Sequence, residues 1–566
     1  MREKLSYYFD LLFLFVELDV FIWILFELSF PFRPAVLVVG RVVTAALLAE
    51  LAIKFLLAPS PRAYVRQYWR VFIVAGMLLY AFLAFSRVAP DHRLVFIYSR
   101  LFLGVVQVLL FVKFLAQSER LAVLLRGFRV SPAQTIIVAF AFIIFIGSFL
   151  LYLPYARPPG EGMRYIDALF TSTSAVCVTG LIVVDTPTAF SPVGHILILL
   201  LIQMGGLGIM TIAAFVQVSL GSRMSLYGRF TTASMLDTGD LKNLFAVIRA
   251  IVVSTFAFEA AGALLFYPYF LQAHGSAPAA LFYSLFHAVS AFCNAGFALY
   301  PDSFMWTGQA FYPLAVLMLL IVAGGLGFTV LRNLGRRLAL GRQERITVQT
   351  RLVVITTVLL LVFGAIGAYL LEREHLLAGL RPHQSFLASL FQSVTARTAG
   401  FNTVDTSRLR PITLFLVSIL MFIGASPGST GGGIKTTTFF ILSLSIITIL
   451  RDQRFNTIFQ RRIPYAVVNR AFAIAMVSAT VVVGGILLLG ASESFALHRI
   501  TFEAFSAFGT VGLSTGITPL LSDFGKIVVM VLMFTGRIGP LTLVLSVKRL
   551  QRTRLVTYPE ERVMVG

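Results

Sequence analysis

Hydrophobic runs separated by short polar segments recur along the whole chain. A membrane-spanning helix needs roughly 20 predominantly apolar residues. Runs of that order fall near 133–154, 193–220, 244–271, 310–333, 351–371, 411–450, 467–491 and 525–547, and four more precede them near 8–30, 35–57, 70–86 and 93–116. The run 411–450 is too long for one span, and GASPGSTGGG at 424–433 interrupts it. Non-helical backbone at membrane depth is tolerated only where protein buries it or it lines a water-filled cavity. The interruption therefore predicts an enclosed polar path. Lys435, one of seven lysines, follows it, and an intramembrane charge is a functional candidate.

Pairing the spans from residue 131 onward exposes an internal repeat. Each pair is split by a short amphipathic segment that ends on a glycine: LFTSTSAVCVTGL at Gly180, LFHAVSAFCNAGF at Gly296, LFQSVTARTAGF at Gly400 and TFEAFSAFGTVGL at Gly512. Phe170, Phe286 and Phe502 lie ten residues before their glycines, and Phe391 lies nine before its own. Each unit reads as helix, re-entrant helix, extended glycine-containing segment, helix. The expected fold is an all-α polytopic membrane protein. Four tandem helix–pore loop–helix repeats stand in pseudo-fourfold arrangement, preceded by about four extra transmembrane helices. The expected boundaries are 1–130 for the extension, 131–222, 243–334, 349–450 and 467–550 for the repeats, and 551–566 for a cytoplasmic tail. The third repeat is expected to carry a broken second helix.

Four extended segments around one axis can supply a ring of backbone carbonyls that replaces a cation's hydration shell. The candidate segments are Val178, Thr179 and Gly180; Asn294, Ala295 and Gly296; Thr398, Ala399 and Gly400; Thr510, Val511 and Gly512. Glycine suits backbone that must visit conformations closed to residues with a Cβ. Close helix packing is the competing explanation, and the fourfold register argues against it. Asp185, Asp302 and Asp405 follow the first three glycines. They either concentrate cations at a mouth or are ordinary charges of a hydrated loop.

Composition narrows the class further. The chain is 58% hydrophobic and 13% charged, with a mean hydropathy of +0.88, against about 25% charged in soluble domains. The net charge of +21 comes from arginines clustered between spans, which is the positive-inside pattern and not a nucleic-acid surface. It puts 221–243, 334–350 and 451–466 on the cytoplasmic side, and the N-terminal MREK segment reads as the start of a retained helix. Cys177 and Cys293 make neither a disulfide framework nor a zinc site. GGLG at 205–208 and 324–327 lacks the setting of a dinucleotide fingerprint and reads as close helix packing. His287 reads as a structural hydrogen bonder, and Arg397 as a brace behind the third extended segment. Arg537 is costly in a span unless paired or hydrated. It is expected to face the path opposite 424–433 unless it pairs with Glu17, Asp19, Glu50 or Glu259. No catalytic constellation appears, so an enzyme is not expected.

The segments CVTGLIVVDT (177–186), CNAGF (293–297), RTAGFNTVDT (397–406), GASPGSTGGGIKTTT (424–438), GTVGL (509–513) and GRIGPLTL (536–543) resemble the Trk/Ktr/HKT superfamily of potassium transporters. Within it they are most similar to the KtrB-type membrane pore subunit. The resemblance implies K+ as substrate, bound at the filter residues named above, and no covalent cofactor. It leaves sodium dependence open. It implies that Gly424, Ser426, Gly428, Ser429, Thr430, Gly431, Gly432, Gly433, Lys435 and Arg537 belong to an intramembrane gate. It further implies a homodimer in the lipid bilayer of the bacterial inner membrane and a cytosolic ring of Rossmann-type nucleotide-binding regulatory subunits. Sodium-selective relatives resemble this chain but carry serine at the first filter position, where Gly180 stands here. A sodium-conducting relative and a secondary transporter of another small solute are the two alternatives. The extension at 1–130 departs from the family pattern. It reads as a packing, dimer-contact or modulatory element, since no helix in it carries arginine at every third position.

Overall fold

The apolar run at 133–154 folds as helix α1, Pro132–Tyr152, whose 21 residues suffice to cross a bilayer. The computed structural model describes residues 132–208, 211, 244–307, 310–341, 345–453, 455–540 and 542, apart from 159 and 161. The expected extension at 1–130, the tail at 551–566 and the segment 221–243 lie outside the described residues.

Each repeat contributes an outer helix, a short helix and an inner helix. The first has α1, α2 (Tyr165–Cys177) and α3 (Pro192–Leu207). The second has α4 (Leu244–His274), α5 (Ala277–Phe292) and α6 (Phe311–Leu326), continued by α7 (Phe328–Leu340). The third has α8 (Val348–Glu372), α9 (Pro382–Thr395) and α10 (Pro411–Phe422), continued by α11 (Thr436–Leu450). The fourth has α12 (Tyr465–Ser492), α13 (Leu497–Gly509) and α14 (Asp523–Ile538). A hairpin of β1 (Thr457–Ile458) and β2 (Arg461–Arg462) joins the last two repeats.

Local chemistry fixes the helix starts. Pro192, Pro382 and Pro411 occupy first-turn positions, where a missing N–H costs nothing. The hydroxyls of Ser191, Thr347 and Ser522 accept from the N–H groups of Gly194, Thr350 and Gly525 at 3.3, 3.2 and 3.1 Å.

Packing then closes the repeats on one another. Every outer helix lies against its own short helix. Every inner helix lies against the short helix of the next repeat: α3 on α5, α6 on α9, α10 on α13, and α14 back on α2. Phe170, Phe286, Phe391 and Phe502 are fully buried among these helices.

The inner helices correct one expectation. The run 310–333 is not one straight span, because α6 and α7 meet at Gly327 with a bend of 107°. Helices α3 and α14 likewise stop at Gly208 and Gly539. All three glycines have positive φ (80°, 90° and 93°) with extended ψ, a conformation that a Cβ opposes. Among the described residues the break at 424–433 is therefore the longest, and the stops at Gly208, Gly327 and Gly539 coincide with GGLG, GGLG and GRIG. The first glycine of each motif does serve close packing. A Cβ on Gly205, Gly324 or Gly536 would collide with the backbone carbonyl of Val176, Phe292 or Phe508 at the end of the adjoining short helix.

Candidate functional site

The four short helices end alike. Thr179, Ala295, Gly400 and Val511 donate their N–H groups five residues back, to Ser174, Ser290, Thr395 and Ser506, at 2.8, 2.7, 3.4 and 2.9 Å. Such a close requires a left-handed residue just past the helix. Val178, Asn294, Thr398 and Thr510 supply it, with φ of 56°, 59°, 75° and 50°. Three of these are β-branched, for which positive φ is a true outlier costing about 1–3 kcal/mol. The same left-handed backbone at equivalent places in every repeat marks a constructed site.

Two residues further on, Gly180, Gly296, Gly400 and Gly512 are again left-handed, at 87°, 70°, 77° and 96°. Each lies against the next repeat. A Cβ on Gly180 would come within 3.0 Å of Gly296 Cα; on Gly296, 3.1 Å from Gly400 Cα; on Gly400, 3.1 Å from Gly512 Cα; on Gly512, 3.1 Å from Gly180 Cα. The nearest atoms are the carbonyl oxygens of Ala295, Ala399, Val511 and Thr179, in that order. The four segments thus form a closed ring in the order 1-2-3-4. Thr179 Oγ1 is buried there without a hydrogen-bond partner.

The 424–433 loop packs on the ends of the short helices. Its neck is closed by the Ile423–Ile434 bridge and by Ala425 N–H to Gly432 O at 3.3 Å. Gly431 and Gly432 fit against the side chains of Thr398 and Thr510 with no room for a Cβ. Gly432 N–H donates to Thr510 Oγ1 (3.0 Å), and Thr430 Oγ1 donates to Phe292 O (3.1 Å). On the second repeat's side, Ser426 N–H donates to Gly325 O (3.0 Å) and Phe328 N–H to Gly428 O (2.9 Å). Within the loop, Ser429 Oγ donates to Ser426 O at 2.6 Å, and Lys435 Nζ donates to Gly431 O at 2.8 Å. Gly433 is left-handed (φ 70°) against Gly424, and Gly424 sits against Gly432.

Arg537 stands where the matching motifs have Gly206 and Gly325. Its guanidinium donates to Thr430 O of the loop and to Gly205 O of the first repeat. Glu259, a candidate carboxylate partner for it, instead accepts from Gln203 Nε2 at 3.2 Å and faces Cys293 Sγ at 3.7 Å. Glu17, Asp19 and Glu50 lie outside the described residues. Arg397 holds the loop and not the third segment, since it donates to Gly424 O at 3.1 Å. Cys177 and Cys293 are free and fully buried. Among the outer aspartates, Asp185 accepts from Thr188 Oγ1 (2.8 Å) and Asp405 from Ser407 N–H (2.9 Å), each at the start of a single helical turn, while Asp302 is exposed.

The fold and this arrangement can be set beside known proteins. Residues 102–556 match the TrkH family, described as a cation transport protein. The chain belongs to the TrkH family. This TrkH-family chain is 38% identical over 441 residues to the Ktr system potassium uptake protein B of Bacillus subtilis (strain 168), an alignment covering 77% of this chain and 97% of that one. It is 38% identical over 449 residues to the potassium/sodium uptake protein NtpJ of Enterococcus hirae, covering 77% and 98%. In fold it resembles the crystal structure of the potassium transporter TrkH from Vibrio parahaemolyticus, with a TM-score of 0.61, 18% identity, and coverage of 91% of this chain and 97% of that one. The TrkH-family chain is accordingly an all-α, multi-pass membrane protein of a cation-transport family, and the relatives it matches are named as transporters and not as enzymes.

One set of residues in this TrkH-family site escaped the sequence reading. A hydroxyl sits four residues after each buried phenylalanine. Ser174 and Ser506 accept from Gly180 and Gly512 N–H at 3.0 and 3.2 Å, and Ser290 and Thr395 donate to Phe297 and Phe401 O at 2.7 Å each. The signal was present as aromatic-x-x-x-Ser/Thr in all four repeats.

Proposed function

We propose that this chain carries potassium ions across a bacterial inner membrane. The segments Val178–Gly180, Asn294–Gly296, Thr398–Gly400 and Thr510–Gly512 act as the filter, and the 424–433 loop with Lys435 and Arg537 acts as the gate. The observation that carries this reading is the closed ring in which each glycine meets the next segment's backbone. A ring of backbone oxygens can replace a cation's hydration shell, with selectivity governed by the number and spacing of those dipoles. The ion dehydrates at the ring and then meets the loop, where the ammonium and the guanidinium oppose its passage through a site of low dielectric. The membrane potential drives inward movement. The four repeats run in the same sense, unlike the inverted repeats of many secondary transporters. A homodimer and cytosolic nucleotide-binding regulatory subunits complete the proposed assembly.

A sodium-conducting variant of the same function is the second reading, because one relative is named a potassium/sodium uptake protein. Gly180→Ser decides between them. At a φ of 87°, with the Ala295 carbonyl 2.5 Å from a new Cβ, the ring must shift. Reversal potentials in proteoliposomes should show strong preference for potassium in the wild type and about tenfold weaker discrimination against sodium in the variant. Equal permeation of both ions by the wild type would favour the sodium reading, and unchanged selectivity in the variant would remove Gly180 from the filter.

A further inference from the structure

The residue directly after the buried phenylalanine of each short helix differs in kind among the repeats. It is Thr171, His287, Gln392 and Glu503 in turn, and all four are buried. In two repeats this residue reaches the backbone beyond the glycine ring, and it does so in the same register. His287 Nε2 accepts from Leu299 N–H at 3.2 Å, while Nδ1 is 2.8 Å from Tyr283 O of its own helix. Glu503 Oε1 accepts from Thr515 N–H at 2.9 Å. Leu299 and Thr515 each lie three residues past the glycine. Glu503 also accepts from Ser514 Oγ (2.6 Å) and Thr518 Oγ1 (2.9 Å), so its carboxylate gathers the whole exit segment 514–518.

The first repeat lacks this tie, and the exit segment of the third is held from another side, by Asn402 N–H donating to Ser303 Oγ at 3.1 Å. Thr171 Oγ1 donates to Asp167 O within its own helix at 2.8 Å, and Gln392 Nε2 is buried with no hydrogen-bond partner. The ring order 1-2-3-4 makes the tied repeats, 2 and 4, diagonal neighbours across the axis.

We propose that His287 and Glu503 are positioning residues for ion selection, holding two opposite exit segments back from the axis so that the ring cannot contract around a smaller cation. This rests on the filter reading above. Hydrogen bonds to a fixed side-chain acceptor set where the segment's backbone dipoles stand. Repeat 1, where Thr171 turns back onto its own helix, is the compliant corner.

Repeats 1 and 3 suggest the substitutions, because Thr and Gln already stand at this helix position elsewhere in the same protein. Full-length chain in proteoliposomes is compared as wild type, Glu503→Thr, Glu503→Gln, His287→Thr and the double Thr variant, reading the potassium-to-sodium permeability ratio. Threonine bonds its own helix and releases Thr515 or Leu299. The ratio should fall by up to about tenfold for Glu503→Thr, the factor one hydrogen bond is worth. The fall should be smaller for His287→Thr and largest for the double variant. Glu503→Gln keeps an oxygen for Thr515 N–H and should recover most of the wild-type ratio, which a merely structural role does not predict. Wild-type ratios in both Thr variants overturn the proposal, as does a Gln variant no better than Thr.

Hydrogen exchange on the wild type provides the second measurement should a variant fail to assemble. Segments 297–300 and 513–516 should exchange more slowly than 181–184, and equal rates count against the ties. Absence of selective flux in the wild type itself overturns the filter reading, whereas a selective wild type with unaffected variants overturns only the role of Glu503 and His287.

Discussion

Single residues show why some of the site could be read and some could not. The glycines were legible because left-handed backbone leaves few alternatives to glycine, and Arg537 was legible as a charge inside an apolar run. Its actual partners, two carbonyls from different repeats, leave no sign in sequence. Arg537→Gln should raise potassium flux severalfold with selectivity intact, because the cationic barrier goes while an amide can still reach Thr430 O. Initial rates in proteoliposomes measure this, and unaltered flux would argue that the guanidinium only fastens the loop.

Lys526 was invisible for a similar reason. Its partner Asp167 lies 359 residues away, at an Nζ–Oδ1 distance of 2.6 Å, and both side chains are nearly buried. Arg164 approaches the same carboxylate at 3.6 Å, so removing Asp167 and not Lys526 isolates a charge. Asp167→Asn should destabilise the protein by about 3 kcal/mol, and adding Lys526→Met should restore part of that. Thermal unfolding in detergent reads both, and equal melting of the single and double variants would show that the pair is not a stabilising unit.

At the scale of elements, the periodic apolar runs gave away the outer helices, the short helices and the longest break. The breaks at Gly208, Gly327 and Gly539 stayed hidden because one glycine barely changes the hydropathy of a run. A 107° bend at such a point comes from packing against Pro427 and Gly428, which lie elsewhere in the chain. The loop that makes this contact is itself separable. Ala425 and Gly432 are joined across its neck, so deleting 426–431 removes the part that contacts Gly324, Gly325 and Arg537 and leaves the neck able to close. Potassium flux should rise in the deletion variant while discrimination against sodium persists, since the ring is untouched. A folded deletion variant with unchanged flux would make the loop structural and put the gate elsewhere.

For the whole molecule, the repeat closes each inner helix onto the next short helix. The described route from the basic face to the loop is short. Helix α7 carries Arg332 and Arg336 on its exposed side, and its first residue, Phe328, donates its N–H to Gly428 O of the loop at 2.9 Å. A protein that grips α7 therefore pulls on the loop through a single hydrogen bond and the hinge at Gly327. This arrangement suits control by a separate acidic-faced partner, for which the proposed nucleotide-binding regulatory subunit is the candidate. Reversing the charges at Arg332 and Arg336 to Glu should weaken co-purification with that subunit and reduce the difference in flux between ATP and ADP. Flux without the subunit should stay at the wild-type level. A pore that responds to neither nucleotide nor subunit before any substitution would rule out the partner, and reversal variants that still respond fully would move the docking surface away from α7.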